Sequence, residues 1–208
     1  MKNPLLWLLL LISLTLTVVT KNTLVSDSLY FNSLAEKLTH EQIQELLANG
    51  KQWEWVGYIL VLIVYIIKCL LVALCLTLGV FFVFNKFEFK RMFNIAIIAE
   101  FVFLIPTVFK LLWFLFIRTS YTLQDLQYFH PLSALSIFDP LSLEPWLVYP
   151  LQVLNVFEAM YWVVLAYVLS KELPELDMNR SMTVVISGYG TGLIIWVAFV
   201  MFLTLTYT

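Results

Sequence analysis

Charge is the scarcest property of this chain of 208 residues. Asp, Glu, Lys and Arg make up 12% of it, while hydrophobic residues make up 62%. A soluble domain carries roughly 25% charged residues, so this composition excludes an ordinary water-facing surface. The net charge of −2 lacks the basic excess on which nucleic-acid binding depends. The length allows one compact bundle and leaves no room for a second soluble domain.

Residues that carry catalysis or bind metals are also few. The six glycines are too clustered for a phosphate-binding loop, and neither G-x-S-x-G nor H-E-x-x-H occurs. Cys69 and Cys75 match no metal-binding or redox pattern and are typical of small buried hydrophobic residues. His40 and His130 have no ligand-like neighbours at metal-binding spacing. The sequence therefore predicts no enzyme: no catalytic residue, no cofactor and no metal site.

What the chain does contain is long apolar segments. About 20 such residues suffice to cross the hydrocarbon of a bilayer. The sequence predicts an all-α, polytopic transmembrane bundle of five spans, which are Pro4–Thr20, Trp55–Phe84, Phe93–Ile117, Trp146–Ser170 and Met182–Tyr207.

The first apolar segment has two interpretations. Its basic start at Lys2 and its length also suit a signal peptide. It lacks a small-x-small cleavage site, because Lys21 directly follows the last apolar residues. The favoured prediction is an uncleaved N-terminal anchor over residues 1–20.

The distribution of Lys and Arg predicts the orientation. With the N-terminus inside, six basic residues lie on the cytoplasmic side and four lie outside. The strongest marker is the cluster Lys86, Lys90 and Arg91 in a short loop. The prediction is N-in and C-out, and the segments 21–54 and 118–145 are then external.

Both external segments show signs of structure. Ser33 with Glu36, and Thr39 with Gln42, match the capping-box pattern of a helix start. Segment 21–54 therefore predicts an amphipathic helical region on the headgroups, or alternatively a docking surface for another subunit. Segment 118–145 contains three X-Pro pairs around an apolar stretch, and this predicts an interfacial loop. The four spans of residues 55–208 form the bundle proper.

Charged and polar residues inside the predicted spans are the candidate site. A charge near the membrane centre costs at least about 2.5 to 3.5 kcal/mol, so these groups should face other helices. The depths of Lys68 and Glu158 match, and this predicts that the two form an ion pair. The candidate intramembrane network consists of Lys68, Glu100, Lys110, Gln152, Asn155 and Glu158.

The network has three possible roles. It can be a structural device that fixes helix register. It can be an ion or proton path, because intramembrane Glu and Lys recur in such relays. It can also pair with charges on the helices of a partner subunit.

Small residues at the start of the fifth span predict close helix packing. Gly188 and Gly192 form a G-x-x-x-G pattern, with Ser187 and Thr191 beside it. The Gly-Tyr-Gly within this stretch is similar to a potassium filter. A filter needs a preceding pore helix and a loop, whereas here a full apolar crossing follows.

Residues 55–205 resemble the Yip1-type family of five-span membrane proteins. The resemblance rests on Leu132-Ser-Ala-Leu-Ser-Ile-Phe138, on Pro150-Leu-Gln-Val-Leu-Asn-Val-Phe157 leading to Tyr161-Trp162, and on the small residues of the last span. The cytosolic Asp-Leu-Tyr-Gly-Pro motif of eukaryotic members is missing. The resemblance implies a non-enzymatic membrane organiser.

These observations give one functional expectation and one alternative. The first is a non-enzymatic accessory or scaffold subunit of a larger envelope complex for secretion or transport, in the cytoplasmic (inner) membrane. Its partners would be other integral membrane or periplasmic subunits and the lipid bilayer, and no nucleic acid. The alternative is a small transporter or proton/ion-conducting protein that uses Lys68, Glu100 and Glu158.

Overall fold

The fold is described by a computed structural model over residues 3–35, 38–84 and 87–207. Regular structure within these ranges is helical, apart from an isolated antiparallel bridge between Ser133 and Asn155. Four helices are long and apolar enough to cross a membrane, namely Pro4–Leu24, Glu54–Phe82, Phe89–Ile117 and Met178–Tyr207. The expectation of an all-α chain with several spans is therefore confirmed, with four of the five predicted segments meeting this criterion.

The chain contributes eleven α-helices over the described ranges. They are α1 (Pro4–Leu24), α2 (Asp27–Leu34), α3 (His40–Gln52), α4 (Glu54–Phe84), α5 (Phe89–Glu100), α6 (Leu104–Leu112), α7 (Leu123–Tyr128), α8 (Pro145–Val153), α9 (Val156–Glu172), α10 (Met178–Val184) and α11 (Thr191–Tyr207). Short 3₁₀ segments cover Phe101–Phe103 and Ala134–Ile137, and π-helical segments cover Trp113–Ile117 and Val185–Gly190.

The third apolar segment lies at the centre of the bundle. In Phe89–Ile117, 44% of the most apolar stretch is buried against protein, compared with 17% to 22% in the other three spans. α5 packs against α4 and α9, and α9 also packs against α10. Their shared core combines aliphatic side chains with one fully buried tyrosine and includes Leu76, Met92, Ile95, Tyr161, Leu165 and Leu169.

The first helix is part of the bundle. It contacts α4, α5 and α6, and Leu9 is fully buried in a cluster with Cys69 and Ile97. It extends to Leu24, four residues beyond the predicted boundary. Near its outer end, Lys21 forms a salt bridge of 2.9 Å with Glu54 at the start of α4.

The central span changes its winding next to its proline. Pro106 has no N–H to donate to the carbonyl of Val102, four residues earlier. The helix tightens to 3₁₀ geometry over Phe101–Phe103 before α6 begins. The span is therefore continuous through Pro106 but contains a short 3₁₀ segment just before it.

The predicted fourth span, Trp146–Ser170, is not one continuous helix in the structure. α8 ends at Val153, and α9 begins at Val156. α8 packs on α11, whereas α9 packs on α5 and α10. The cause is local: Pro150 removes a helical N–H near the end of α8, and Asn155 acts as the N-cap of a new helix.

The segment of residues 118–145 satisfies backbone groups that this interruption frees. The N–H of Ala134 donates to the carbonyl of Leu154, and the N–H of Val156 donates to the carbonyl of Leu132. Irregular backbone at membrane depth is tolerated where protein partners cover its polar groups. The apolar stretch of segment 118–145 thus packs against the interrupted helix.

Helices α2 and α3, in the predicted external segment 21–54, pack together as a helical hairpin. Ser26 caps α2, and Thr39 caps α3 in a complete capping box with Gln42. The second predicted box is wrong, because Ser33 lies inside α2; its partner Glu36 lies outside the described residues. Lys51 bridges the two helices through a 2.8 Å contact with Asp27.

Candidate functional site

An ion pair between α4 and α5 is the first element of the polar interior. Lys68 lies near the middle of α4, about 21 Å along the helix from Glu54. Its Nζ is 2.6 Å from Oε1 of Glu100, whose side chain is 1% exposed. The side chain of Lys68 is 38% exposed, so the carboxylate is the buried member of the pair. Removing Lys68 would leave this buried carboxylate without its counter-charge, which is unfavourable.

Aromatic rings complete the surroundings of this lysine. The Nζ of Lys68 lies 3.5 Å from the ring centroid of Phe103 and 5.6 Å from that of Tyr161. A cation over an aromatic face is attracted by the ring quadrupole. The ammonium of Lys68 is therefore held by one carboxylate and two rings from three separate segments.

Glu158 lies elsewhere in the bundle and has different partners. Its Oε1 accepts hydrogen bonds from Nε1 of Trp162, at 2.9 Å, and from the hydroxyl of Tyr189, at 2.7 Å. Its backbone N–H donates to the side chain of Asn155 at 2.7 Å. The predicted Lys68–Glu158 pair is therefore wrong, since Lys68 bonds to Glu100.

The reason for this error is rotational. Equal depth places two residues in one layer of the membrane but does not fix the direction in which their side chains point. The interruption before Val156 changes the direction in which the side chains of α9 point, because Gln152 and Glu158 belong to two separate helices.

Two tyrosines lie between the two carboxyl groups. Tyr161 is fully buried, and its ring contacts the ring of Tyr189 with centroids 5.3 Å apart. Oε2 of Glu100 and the hydroxyl of Tyr161 are both buried, and the hydroxyl interacts with the Glu100 carboxyl group as a hydrogen-bond donor. We use the name interior network for Lys68, Glu100, Tyr161, Glu158 and Tyr189.

The remaining predicted polar residues lie outside the interior network. Nζ of Lys110 donates to the backbone carbonyl of Leu126 in α7, at the outer end of the bundle. Nearby, burial lowers the pKa of His130, and the charge of Lys110 lowers it further. Gln152 lines a cavity of about 370 Å³ beneath the external loop.

Asn155 joins the two halves of the interrupted helix. Its side-chain oxygen caps α9, while its Nδ2 donates to the backbone carbonyls of Gln152 at 2.8 Å and Val153 at 3.2 Å. One amide therefore satisfies orphan groups of both helix ends. Its role in this structure is to hold a backbone junction.

The glycines of the last span are the point of closest approach to α4. A Cβ on Gly188 would lie 2.6 Å from the backbone oxygen of Cys75, and one on Gly192 would lie 2.5 Å from Sγ of the same residue. Ser187 and Thr191 are exposed on this chain. The packing surface is thus formed by the glycines without the two hydroxyl residues.

The cavities do not reach the interior network. One of about 400 Å³ is lined by Glu88, Lys90, Arg91, Asn94, Glu172 and two phenylalanines, at the end of the bundle where α5 begins. The other is the outer cavity beside Gln152. Among the residues described, no group of three or more His, Cys, Asp or Glu side chains could hold a metal ion.

Comparisons with models of known families, with curated proteins and with solved structures return no match. The geometry of the chain is thus the basis for a functional assignment. It adds Tyr161, Trp162 and Tyr189 to the residues found from sequence. Tyr161 and Tyr189 could have been singled out from the sequence, because they lie within predicted spans, whereas tyrosines usually mark the membrane interface.

Proposed function

We propose that this chain is a non-enzymatic, five-crossing protein of the cytoplasmic membrane that acts as an accessory or scaffold subunit of a larger assembly. The fifth crossing in this proposal is the two-part segment α8–α9. The Yip1-type resemblance of residues 55–205 belongs to the same proposal, because it implies a membrane organiser without catalysis.

The observation that carries the proposal is the sparse packing of α11. This helix has no buried residue, and its principal contacts are with α8 and the π-helical segment before it. Along its length it exposes large apolar side chains, among them Ile194 and Phe202, which are 70% and 64% exposed. Without a hydrophobic driving force between helices in lipid, such a helix is free to pack against helices of another subunit.

The test is site-specific photo-crosslinking in native membranes, followed by mild solubilisation and mass spectrometry. A photoreactive residue at Ile194 or Phe202 should capture one protein in stoichiometric yield. The same residue at Leu11 of α1, which is 65% exposed, is the matched control for general contact with membrane proteins. Equal capture at both positions, or purification of the chain always alone, would contradict the proposal.

A second candidate, a small proton- or ion-conducting protein, is favoured by the charge balance of the interior network. The network holds two carboxyl groups and one lysine. Proton flux into proteoliposomes, abolished by Glu158→Gln, would support this candidate.

A further inference from the structure

We propose that the cavity at the start of α5 binds the head group of a phospholipid that carries both a phosphate and a primary ammonium, as phosphatidylethanolamine does. The name α5 cavity is used for it, and its lining consists of Lys90, Arg91, Asn94, Glu88, Glu172 and two phenylalanines. The proposal goes beyond the accessory and conducting functions, because it needs neither a partner subunit nor the interior network.

The α5 cavity has the size and the depth of a head-group site. Its volume of about 400 Å³ lies within the range of roughly 300 to 1,000 Å³ that is typical of small-ligand sites. The span Phe89–Ile117 has 29 residues, which correspond to about 43 Å of helix. A bilayer with its head groups is about 40 to 45 Å thick, so the start of this span lies among the head groups.

Two hydrogen-bond donors line the α5 cavity on one face of α5. Lys90 and Asn94 are four residues apart, so their side chains lie one above the other. Oδ1 of Asn94 accepts a hydrogen bond of 2.6 Å from Nδ2 of Asn3. This contact uses the acceptor of Asn94 and leaves its NH₂ group as a donor. One ammonium and one amide at this spacing suit the oxygen atoms of a phosphate.

The charges of the α5 cavity are arranged as two opposite groups that do not pair with each other. Arg91 and Glu88 form a salt bridge of 2.6 Å, so these two neutralise each other. Neither Lys90 nor Glu172 forms a salt bridge within residues 3–35, 38–84 and 87–207. A ligand with one anionic and one cationic group can pair with both at once.

The same charge count selects among head groups. Lys90 and Arg91 balance Glu88 and Glu172, so a neutral zwitterion leaves no charge over. An anionic head group, such as that of phosphatidylglycerol, would bring a negative charge to Glu172 without a cation to match it. The choline group has no N–H, whereas a primary ammonium has three donors for the carboxylate of Glu172.

Exposed aromatic rings favour a lipid over a soluble amino phosphate. Phe87 lines the α5 cavity and is 70% exposed. Phe82, at the same end of the bundle, is 82% exposed. Burial of such rings against the acyl chains of a bound lipid is favourable, and free phosphoethanolamine has no acyl chains to supply this contact.

Native mass spectrometry of the full chain in mild detergent tests the proposal. The probes are phosphatidylethanolamine, phosphatidylcholine and phosphatidylglycerol with identical acyl chains. Phosphatidylethanolamine should bind at least about fivefold more tightly than the other two, as expected for one charge-assisted hydrogen bond. Lys90→Gln should weaken the binding of all three lipids, because each has a phosphate. Glu172→Gln should remove the preference for phosphatidylethanolamine.

Two control variants change the net charge by the same amounts outside the α5 cavity. They are Lys171→Gln, at the exposed position beside Glu172, and Glu144→Gln, at the start of α8. Both should bind the lipids as the wild type does. Lys90→Arg should retain binding, since an arginine also pairs with phosphate. Circular dichroism confirms folding for each variant.

Three results would overturn the proposal. The first is equal binding of phosphatidylethanolamine and phosphatidylglycerol to the wild type. The second is a preference for phosphatidylethanolamine that persists in Glu172→Gln, because the lipid would then bind elsewhere. The third is binding of free phosphoethanolamine as tight as that of the lipid, which would assign the α5 cavity to a soluble ligand. None of these results bears on the crosslinking of α11, so the two proposals fail independently.

Discussion

At the scale of single residues, contact distances distinguish Gly188 and Gly192, the two glycines of the last span that pack against α4. A methyl group on Gly188 would meet a backbone oxygen of α4, which cannot move without shifting the helix. A methyl group on Gly192 would meet the Sγ of Cys75, a side-chain atom. The same pattern of small residues therefore contains one rigid contact and one that a second substitution can relieve.

We predict that Gly188→Ala and Gly192→Ala both destabilise the protein, by about 1 to 3 kcal/mol as for other overpacked cores. Cys75→Ala should rescue Gly192→Ala and should leave the defect of Gly188→Ala in place. The measurement is thermal unfolding in detergent, with Cys75→Ala alone as the reference. Equal rescue of both glycine variants would show that the close approach to α4 is not as described.

At the scale of elements, the interruption between α8 and α9 is the feature that most changes the architecture. The backbone groups it frees are covered by the external loop and by Asn155. In an apolar environment each such hydrogen-bond partner contributes more to stability, because water cannot replace it. The junction should therefore respond strongly to changes at one side chain.

We predict that Asn155→Ala costs about 1 to 2 kcal/mol, since it removes an N-cap and the two hydrogen bonds to the end of α8. Asn155→Ser should cost less, because a serine hydroxyl still caps α9 while the donor to the carbonyls of Gln152 and Val153 is lost. Unfolding in detergent, monitored by circular dichroism, checks the order of the three proteins. A fully stable Asn155→Ala would contradict the junction role.

At the scale of the whole molecule, the number of crossings decides where the termini lie. Four helices meet the length and hydropathy required of a span, and α8 with α9 supplies a fifth in the proposed function. An odd number of crossings places the two ends of the chain on opposite sides of the membrane. An even number places them on the same side.

We predict that Tyr207→Cys is labelled by a membrane-impermeant thiol reagent on intact cells, whereas Asn3→Cys is labelled only after the membrane is opened. Both variants are made in a background of Cys69→Ala and Cys75→Ala, and Ser28→Cys in the outer hairpin is the external control. Labelling of both termini from one side would replace five crossings by an even number and would make α8–α9 a re-entrant segment.

The sequence by itself determined the class of this protein and most of its helices. Low charge and long apolar runs require a lipid-facing surface, and four of the predicted segments are helices long enough to span. The Thr39–Gln42 box and the close packing of Gly188 and Gly192 were also readable, because caps and small-residue contacts depend on short-range spacing.

Only the tertiary structure decided which charges meet. Lys68 bonds to Glu100 because α4 and α5 pack side by side, and Glu158 turns to Tyr189 because the helix before it is interrupted. Hydrophobic periodicity shows whether a helix has an apolar surface. It cannot show which side of a helix faces its neighbours when all sides are apolar. The rotation of each helix about its axis is decided by packing among several helices at once, and that rotation decides the partners of each intramembrane charge.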